Sequence, residues 1–318
     1  MSRLAFRDFD AYLDALHGVQ GRYVPTMRSV RAWQLHTLDL GAVAVMSGQG
    51  GAGNIFHGAL LPEWAAVIVP LSRPEVIVVD GHRLARHHVA WVAPGREFQF
   101  RAFQPTRWMS VNIHRDVLRS HHDDGEHALP KAFEQNHACV ASPQAVIDLV
   151  SLARRAFRIQ AAMPGALDAD AARDNLGESF VENALRCVDL PASDATRERG
   201  RPKLDRREVL ALALGMIEVG MRKTLHLDDL CRAARVSPRT LHTIFMEHFG
   251  MPPQRYLAMR RLSAIHEAIR SASGGETVSS ICQRFGVWDF GRFARHYREH
   301  FGVLPSEDLA RRQSRVLH

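Results

Sequence analysis

From Trp33 to about Ile113 the chain is written in short runs of apolar, β-forming residues, at 41–46, 65–69, 75–79, 89–92, 97–100 and 108–113. Turn signals separate them at 48–53, Arg73-Pro74, Asp80-Gly81 and Pro94-Gly95. Many short strands at regular spacing predict an antiparallel sandwich or small barrel, and Asp-Gly between two such runs is a strong local hairpin signal. Residues 1–32 read as a helical lead-in, with Phe6, Phe9, Tyr12, Leu13 and Leu16 on one side, followed by an extended stretch through Pro25.

Past Asp116 the apolar spacing changes from two to three or four. Val146, Leu149, Val150, Leu152, Ala153, Ala156 and Phe157 form one helical stripe, and Leu176, Phe180, Ala184, Leu185 and Val188 form another, with a turn at Met163-Pro164-Gly165 between them. These helices are expected to pack on the barrel, with a dimer seam as the alternative. Residues 191–206 open with Pro-Ala-Ser-Asp-Ala-Thr-Arg-Glu-Arg-Gly-Arg, a polar composition that reads as a linker. The expected organisation is therefore a β-rich domain over 1–190 (barrel about 33–113, helices about 116–190), the linker, and an all-helical domain over 207–318.

The helical domain repeats itself. Leu230-Cys-Arg-Ala-Ala-Arg-Val236 aligns with Ile281-Cys-Gln-Arg-Phe-Gly-Val287 at an offset of 51. Glu247-His-Phe-Gly-Met-Pro-Pro253 aligns with Glu299-His-Phe-Gly-Val-Leu-Pro305 at an offset of 52, so one extra residue lies near Trp288. Each unit is a short helix, a tight turn, and a second helix closed by Phe-Gly with a proline beyond, which are helix-turn-helix proportions. Ser237-Pro238 supplies an N-cap and a first-turn proline. With Leu241, Ile244, Phe245 and Phe249 facing inward, Arg239, Thr240, His242 and Thr243 face outward. In the second unit Phe293, Tyr297 and Phe301 face inward and leave Arg292, Arg295 and His296 outward.

Charge follows the same division. From Arg197 onward there are 22 Lys and Arg against 13 Asp and Glu, and the remaining 196 residues hold 19 basic and 21 acidic side chains. A basic end joined to a near-neutral one suggests a polyanion-binding module attached to something with another task. Arginine predominates, which suits bidentate contacts to guanine and phosphate.

These residues carry a resemblance. Leu227-Asp-Asp-Leu230, Val236-Ser-Pro238, Leu241, Phe245, His248-Phe-Gly250, Pro253, Tyr256, Arg261-Leu262, Ile281, Gly286, Phe293, Phe301-Gly302, Pro305 and Ser306 resemble the paired helix-turn-helix domain of AraC/XylS-family transcription regulators. The family usually carries Ala at 265 and 282 and Gly-Phe at 286–287, where this chain has Ile265, Cys282 and Gly286-Val287. Trp288-Asp-Phe-Gly-Arg-Phe293 is similar to the variant in the ethanolamine-utilisation regulator subgroup. The resemblance implies two units joined by one long helix at about 253–271. Their recognition helices would enter successive major grooves roughly 34 Å apart. Base-contacting positions then fall on Arg239, His242 and Thr243, and on Phe290, Gly291, Arg292, Arg295 and His296. It also implies that 33–113 form a cupin-like barrel sensing a small molecule, that the following helices support a homodimer, and that RNA polymerase is a partner alongside double-stranded DNA.

The expectation is an α+β, cytoplasmic regulator of transcription, an activator in kind, with no cofactor and no membrane partner. The alternatives are a barrel that binds a protein partner, or a cupin-type enzyme fused to a DNA anchor. The enzyme reading needs a metal site with two histidines one residue apart and a nearby acid. His82, His87 and His88 with Glu97, and His121-His122 with Asp123-Asp124, lack that spacing, and adjacent strand residues point to opposite faces. The 48–53 loop lacks the Lys-Ser/Thr of a phosphate-binding loop and reads as a mobile barrel loop. Ser110 and His114 read as chance neighbours. The four cysteines are far apart and form no CxxC, so neither a disulfide framework nor a zinc site is expected. The apolar run 64–71 is far shorter than the ~20 residues that span a bilayer. For a pocket, the barrel offers Trp33, Phe56, Trp64, Trp91, Phe98, Phe100 and Trp108.

Overall fold

The computed structural model describes residues 3–6, 9–28, 32–72, 77–121, 131–167, 169–188, 206–221, 225–272 and 275–316. The chain divides into two compact units, 1–23 with 30–195, and 24–29 with 196–318. Most of the expected linker, 191–205, and the His122-Asp123-Asp124 cluster lie outside the described residues.

The first unit opens with β1 (Arg3–Phe6), α1 (Phe9–Asp14) and β2 (Val19–Pro25), the last two residues of which count with the second unit. It continues through β3 (Trp33–Asp39), β4 (Val43–Gln49), β5 (Asn54–Leu60) and β6 (Trp64–Pro70). The strands β7 (Ile77–Val79), β8 (His82–Arg83), β9 (His88–Val92), β10 (Glu97–Ala102) and β11 (Arg107–His114) follow. After α2 (Arg115–His121) and a short 3-10 turn come β12 (His137–Val140), α3 (Pro143–Ala162) and α4 (Asp170–Cys187). The lead-in read as one helix is a strand followed by a short helix: Arg3–Phe6 pairs antiparallel with β3, from Arg3 opposite His36 to Phe6 opposite Trp33. A neighbouring strand with free hydrogen-bonding groups has outweighed the local helical spacing.

The strands form two sheets, in the orders β1-β3-β4-β11-β6-β9-β12 and β2-β5-β10-β7-β8. The expected antiparallel β domain is present, and these two sheets, rather than a closed ring of strands, make it. Asp80 and Gly81 make the β7–β8 hairpin, both at positive φ (47° and 81°), as a two-residue turn that matches strand twist requires. Asp80 is also tied down: its Oδ1 accepts from the Gln99 backbone N–H at 2.8 Å, and its Oδ2 accepts from Asn136 Nδ2 at 2.9 Å. Residues 50–53, read as a mobile loop, are buried between β4 and β5, with Asn54 Nδ2 donating to the Ala52 carbonyl at 3.1 Å.

The central strand β11 shows how the domain is built. Met109, Val111 and Ile113 point to one face and join a core made with α3 and α4, while Trp108, Ser110 and Asn112 point to the other. Neither face meets water, which is why the strand reads as a nearly continuous apolar run. Helix α3 starts at Ser142, whose hydroxyl accepts from the Ala145 N–H at 3.1 Å, and lays Ala145, Leu149, Ala153 and Ala156 on the sheet. Phe180, Val181 and Ala184 of α4 complete that layer. Both helices therefore pack on the β domain. Trp91 belongs to this side too, its indole N–H donating to the Phe133 carbonyl at 3.2 Å.

Between the sheets, on the other face of β11, lies a cavity of about 50 Å³. Of the seven aromatic residues offered for a pocket, Phe56, Phe98, Phe100 and Trp108 line it. Trp33 packs among Tyr12 and Tyr23, and Trp64 packs edge-on to His17 and His114.

The second unit is helical: α5 (Arg206–Gly220), α6 (Leu227–Ala234), α7 (Pro238–Phe249), α8 (Pro253–Arg270), α9 (Val278–Arg284), α10 (Phe290–Phe301) and α11 (Pro305–Val316). Among the described residues, no helix is long and apolar enough to cross a membrane.

Candidate nucleic-acid interface

The sequence repeat becomes a structural one. Helices α6 and α7 form the first unit, α9 and α10 the second, and α8 bridges them over Pro253–Arg270, matching the expected connecting helix. The two turns are built alike. Arg235 takes φ 53° at the end of α6 and Gly286 takes φ 69° just past α9. The next residues, Val236 and Val287, each donate a backbone N–H to a cysteine carbonyl, Cys231 and Cys282, at 3.0 Å.

Each second helix then begins on a side-chain cap. Ser237 Oγ accepts from the Thr240 N–H at 3.2 Å, and Asp289 Oδ1 accepts from the Arg292 N–H at 3.0 Å. Each ends on a left-handed glycine, Gly250 at φ 61° and Gly302 at φ 80°. The inward faces are Leu241, Ile244, Phe245 and Phe249 in α7 and Phe293 and Tyr297 in α10, as the spacing predicts.

Outward, Arg239, His242 and Thr243 are exposed at the start of α7. The Thr243 hydroxyl donates back to the Arg239 carbonyl at 3.0 Å. Thr240 is half-buried and shares a hydrogen bond with Ser237 Oγ at 2.9 Å, so its hydroxyl is engaged in the cap. In α10, Gly291, Arg292, Arg295 and His296 are exposed. Phe290 is half-buried and packs against the core of the second unit. The guanidinium groups of Arg239, Arg292 and Arg295 make no ion pair among the described residues, which leaves their donors available for an anionic partner. Arg292 and His296 also border a groove between α8 and α10, together with Arg255, Arg261 and Trp288.

Trp288 was not singled out as a contact residue by the sequence reading. Val236 is followed at once by the cap Ser237, whereas Trp288 stands between Val287 and the cap Asp289. It is the extra residue that shifts the repeat offset from 51 to 52. Its side chain is 70% exposed at the entrance to α10. An inserted, solvent-facing indole was thus signalled by the repeat arithmetic.

The second unit is held from behind by a buried polar cluster. Tyr297 of α10 donates its hydroxyl to Asp308 Oδ2 of α11 at 2.6 Å and lies 2.6 Å from His266 Nδ1 of α8. Burial alone would raise the Asp308 carboxyl, but hydrogen bonds from His266 and Tyr297 and the charges of His266 and Arg270 outweigh it, and the carboxyl titrates below its ordinary value. Cys282 packs in the same core, where burial pushes its thiol up to about 11. It is an apolar filler at neutral pH.

The candidate metal residues are spread out: His82 on β8, His87 at positive φ in a turn, His88 on β9, Glu97 on β10 and His121 on α2. Among the described residues, no three His, Cys, Asp or Glu side chains converge as a metal site would need.

A model of the helix-turn-helix domain matches residues 230–311. Over 138 residues the chain is 30% identical to the XylDLEGF operon transcriptional activator 1 of Pseudomonas putida, covering 42% of this chain and 40% of that protein. Over 102 residues it is 35% identical to a probable thc operon regulatory protein of Rhodococcus erythropolis, covering 32% of this chain and 31% of that protein. The chain thus spans less than half the length of these two relatives. The crystal structure of the AraC-like transcriptional activator CuxR is similar over 84% of this chain and 96% of its own, with a TM-score of 0.42 and 14% identity.

Proposed function

We propose that the protein, whose C-terminal helices resemble the AraC/XylS type of helix-turn-helix domain, is a sequence-specific DNA-binding regulator of transcription, an activator that answers to a small-molecule effector held by its β domain. The observation that carries this reading is the duplication. Two capped second helices present Arg239 on one and Arg292 and Arg295 on the other, with no carboxylate partner among the described residues. Arg239, His242 and Thr243 would read one major groove, and Arg292, Arg295 and His296 the next. Trp288 adds an apolar surface beside the second helix, suited to a thymine methyl group or a deoxyribose. Phe290 supports α10 from the core rather than meeting a base.

The effector would act by changing the population of DNA-bound forms able to engage RNA polymerase. The work is cytoplasmic and non-catalytic in this reading. The cavity between the sheets favours a small ligand over a protein partner for that domain.

The test is binding of the full chain to duplexes selected from its own genome and to random duplexes over a range of salt. Preferred sites should carry two half-sites one helical turn apart, about 10 base pairs, and bind at least about 10³-fold more tightly than random duplex. Equal affinity for both, with a steep salt dependence, would reduce the domain to an anchor on phosphate and overturn the regulator.

A further inference from the structure

The cavity between the two sheets is lined mostly by aliphatic and aromatic side chains, Tyr23 and Trp108 among them, and by two polar residues on one strand. Ser110 and Asn112 of β11 alternate with Met109, Val111 and Ile113, so both face the cavity while their neighbours face the helices. They are 4% and 1% exposed, and Ser110 Oγ and Asn112 Oδ1 have no hydrogen-bond partner among the described residues. The amide cannot be turned to relieve this. Asn112 Nδ2 donates to the His17 carbonyl at 2.7 Å, and a carbonyl accepts only from the nitrogen side of the amide. Oδ1 is thereby held as a buried acceptor without a donor, which native proteins avoid unless something supplies one.

We propose that this cavity is the effector site and that it takes a small neutral molecule carrying a hydroxyl or amide N–H. The donor would meet Asn112 Oδ1, with Ser110 Oγ as its second polar partner. The rest of the molecule would lie against Met46, Ile68, Phe98 and Phe100. The inference rests on reading the β domain as the sensor, and it adds the ligand's chemistry.

Neutrality follows from the lining, which includes no charged side chain: an ion would lose its water and gain no counter-charge. Size follows from the volume. About 50 Å³ is a third of the roughly 150 Å³ cavity that holds benzene, so the molecule must be smaller than benzene. Short alcohols and primary amides meet these limits; sugars and nucleotides do not.

Four probes of near-equal size test this on the full chain: 1-propanol, propionamide, propionate and methyl acetate, titrated by saturation-transfer NMR. The two neutral donors should bind about tenfold more tightly than the acceptor-only ester or the anion, the ratio expected for one hydrogen bond to an otherwise unpaired acceptor. Ala66→Leu, which fills the cavity from β6, should abolish binding of both. Ser110→Ala keeps the strand and reads the same site should Ala66→Leu fail to fold, and it should weaken both donors several-fold. Equal binding of all four probes, binding that survives both variants, or no binding because water alone satisfies Asn112 would each overturn the proposal. Binding to selected duplex is measured on the same samples. If duplex binding persists while the donors fail to bind, the cavity proposal falls and the regulator stands. If the donors bind and specific duplex binding is absent, the regulator falls and the site stands.

Discussion

Replacing Tyr297 by phenylalanine separates what holds α10 in place from what its outer face presents. Tyr297 is fully buried, and its ring packs against Phe293, Phe301 and His266 with centroids 5.6, 4.6 and 5.7 Å away. Phenylalanine keeps that packing and removes only the hydroxyl. The loss is one hydrogen bond to a carboxylate, which keeps His266 at 3.2 Å, and one contact with His266 itself. Hydrogen bonds to charged groups contribute about 1.5–3 kcal/mol, so the change should cost about 2 kcal/mol. For a domain of this size that is a fall in melting temperature of roughly 10 °C.

The same substitution should move the acid limb of stability. The Asp308 carboxyl titrates lower in the folded chain than its unfolded value of about 3.9. A depressed carboxyl contributes stability above the unfolded value and loses it as pH falls through the folded one. Without the Tyr297 hydroxyl, one of the interactions that lowers Asp308 is gone. Its folded value then rises toward the unfolded one, so Asp308 has less stability to lose in acid and that loss is complete at a higher pH. Thermal melts of Tyr297→Phe and the parent chain, followed by helical circular dichroism from pH 7 to 3, read both effects. An unchanged melting temperature at pH 7, or an acid limb that does not move, would refute the cluster as the support of α10.

Arg239→Ala and Arg295→Ala should each weaken binding to a selected site by about 1–3 kcal/mol while changing random-duplex affinity little. Equal losses on both duplexes in a competition titration would make them phosphate contacts. Trp288→Ala should weaken the selected site without lowering the melting temperature, because the indole is exposed. Replacing thymine by uracil in the second half-site should have a smaller effect in that variant than in the parent if the indole meets a methyl group. Gly250→Ala should destabilise by about 1 kcal/mol, since its φ of 61° is strained for any side chain. Gly215→Ala, in the middle of α5 with open space where the methyl would sit, should stabilise by about 0.5–1 kcal/mol. Chemical denaturation of the two variants checks the opposite signs.

The helical domain was legible because its determinants are local. A cap at Ser237, a proline behind it, Phe-Gly at 249–250 and again at 301–302, and apolar residues three and four apart each fix a boundary or a face within a few residues. Their repetition made the reading redundant. The strands were legible for another reason. In β6, β9 and β11 both faces are covered, so buried strands appear as apolar runs whatever their partners. Where a strand is mixed, as in Trp33–Asp39 with its Gln, His and Thr, or Asn54–Leu60 with His57 and Gly58, no run marks it, and only the pairing with β4 or β10 makes it a strand.

The polar pair on β11 was beyond that reading for a related reason. In Trp108-Met-Ser-Val-Asn-Ile113 a serine and an asparagine among apolar residues look like the solvent side of a half-buried strand. Alternation says that they share a face; it does not say whether that face meets water. The answer depends on β2, β5 and β10, which come from three distant parts of the chain and close over it. A second sheet over that face turns two ordinary surface residues into buried acceptors that need a donor. The local pattern encodes where a helix presents its arginines, while the chemistry of the cavity exists only once the two sheets have met.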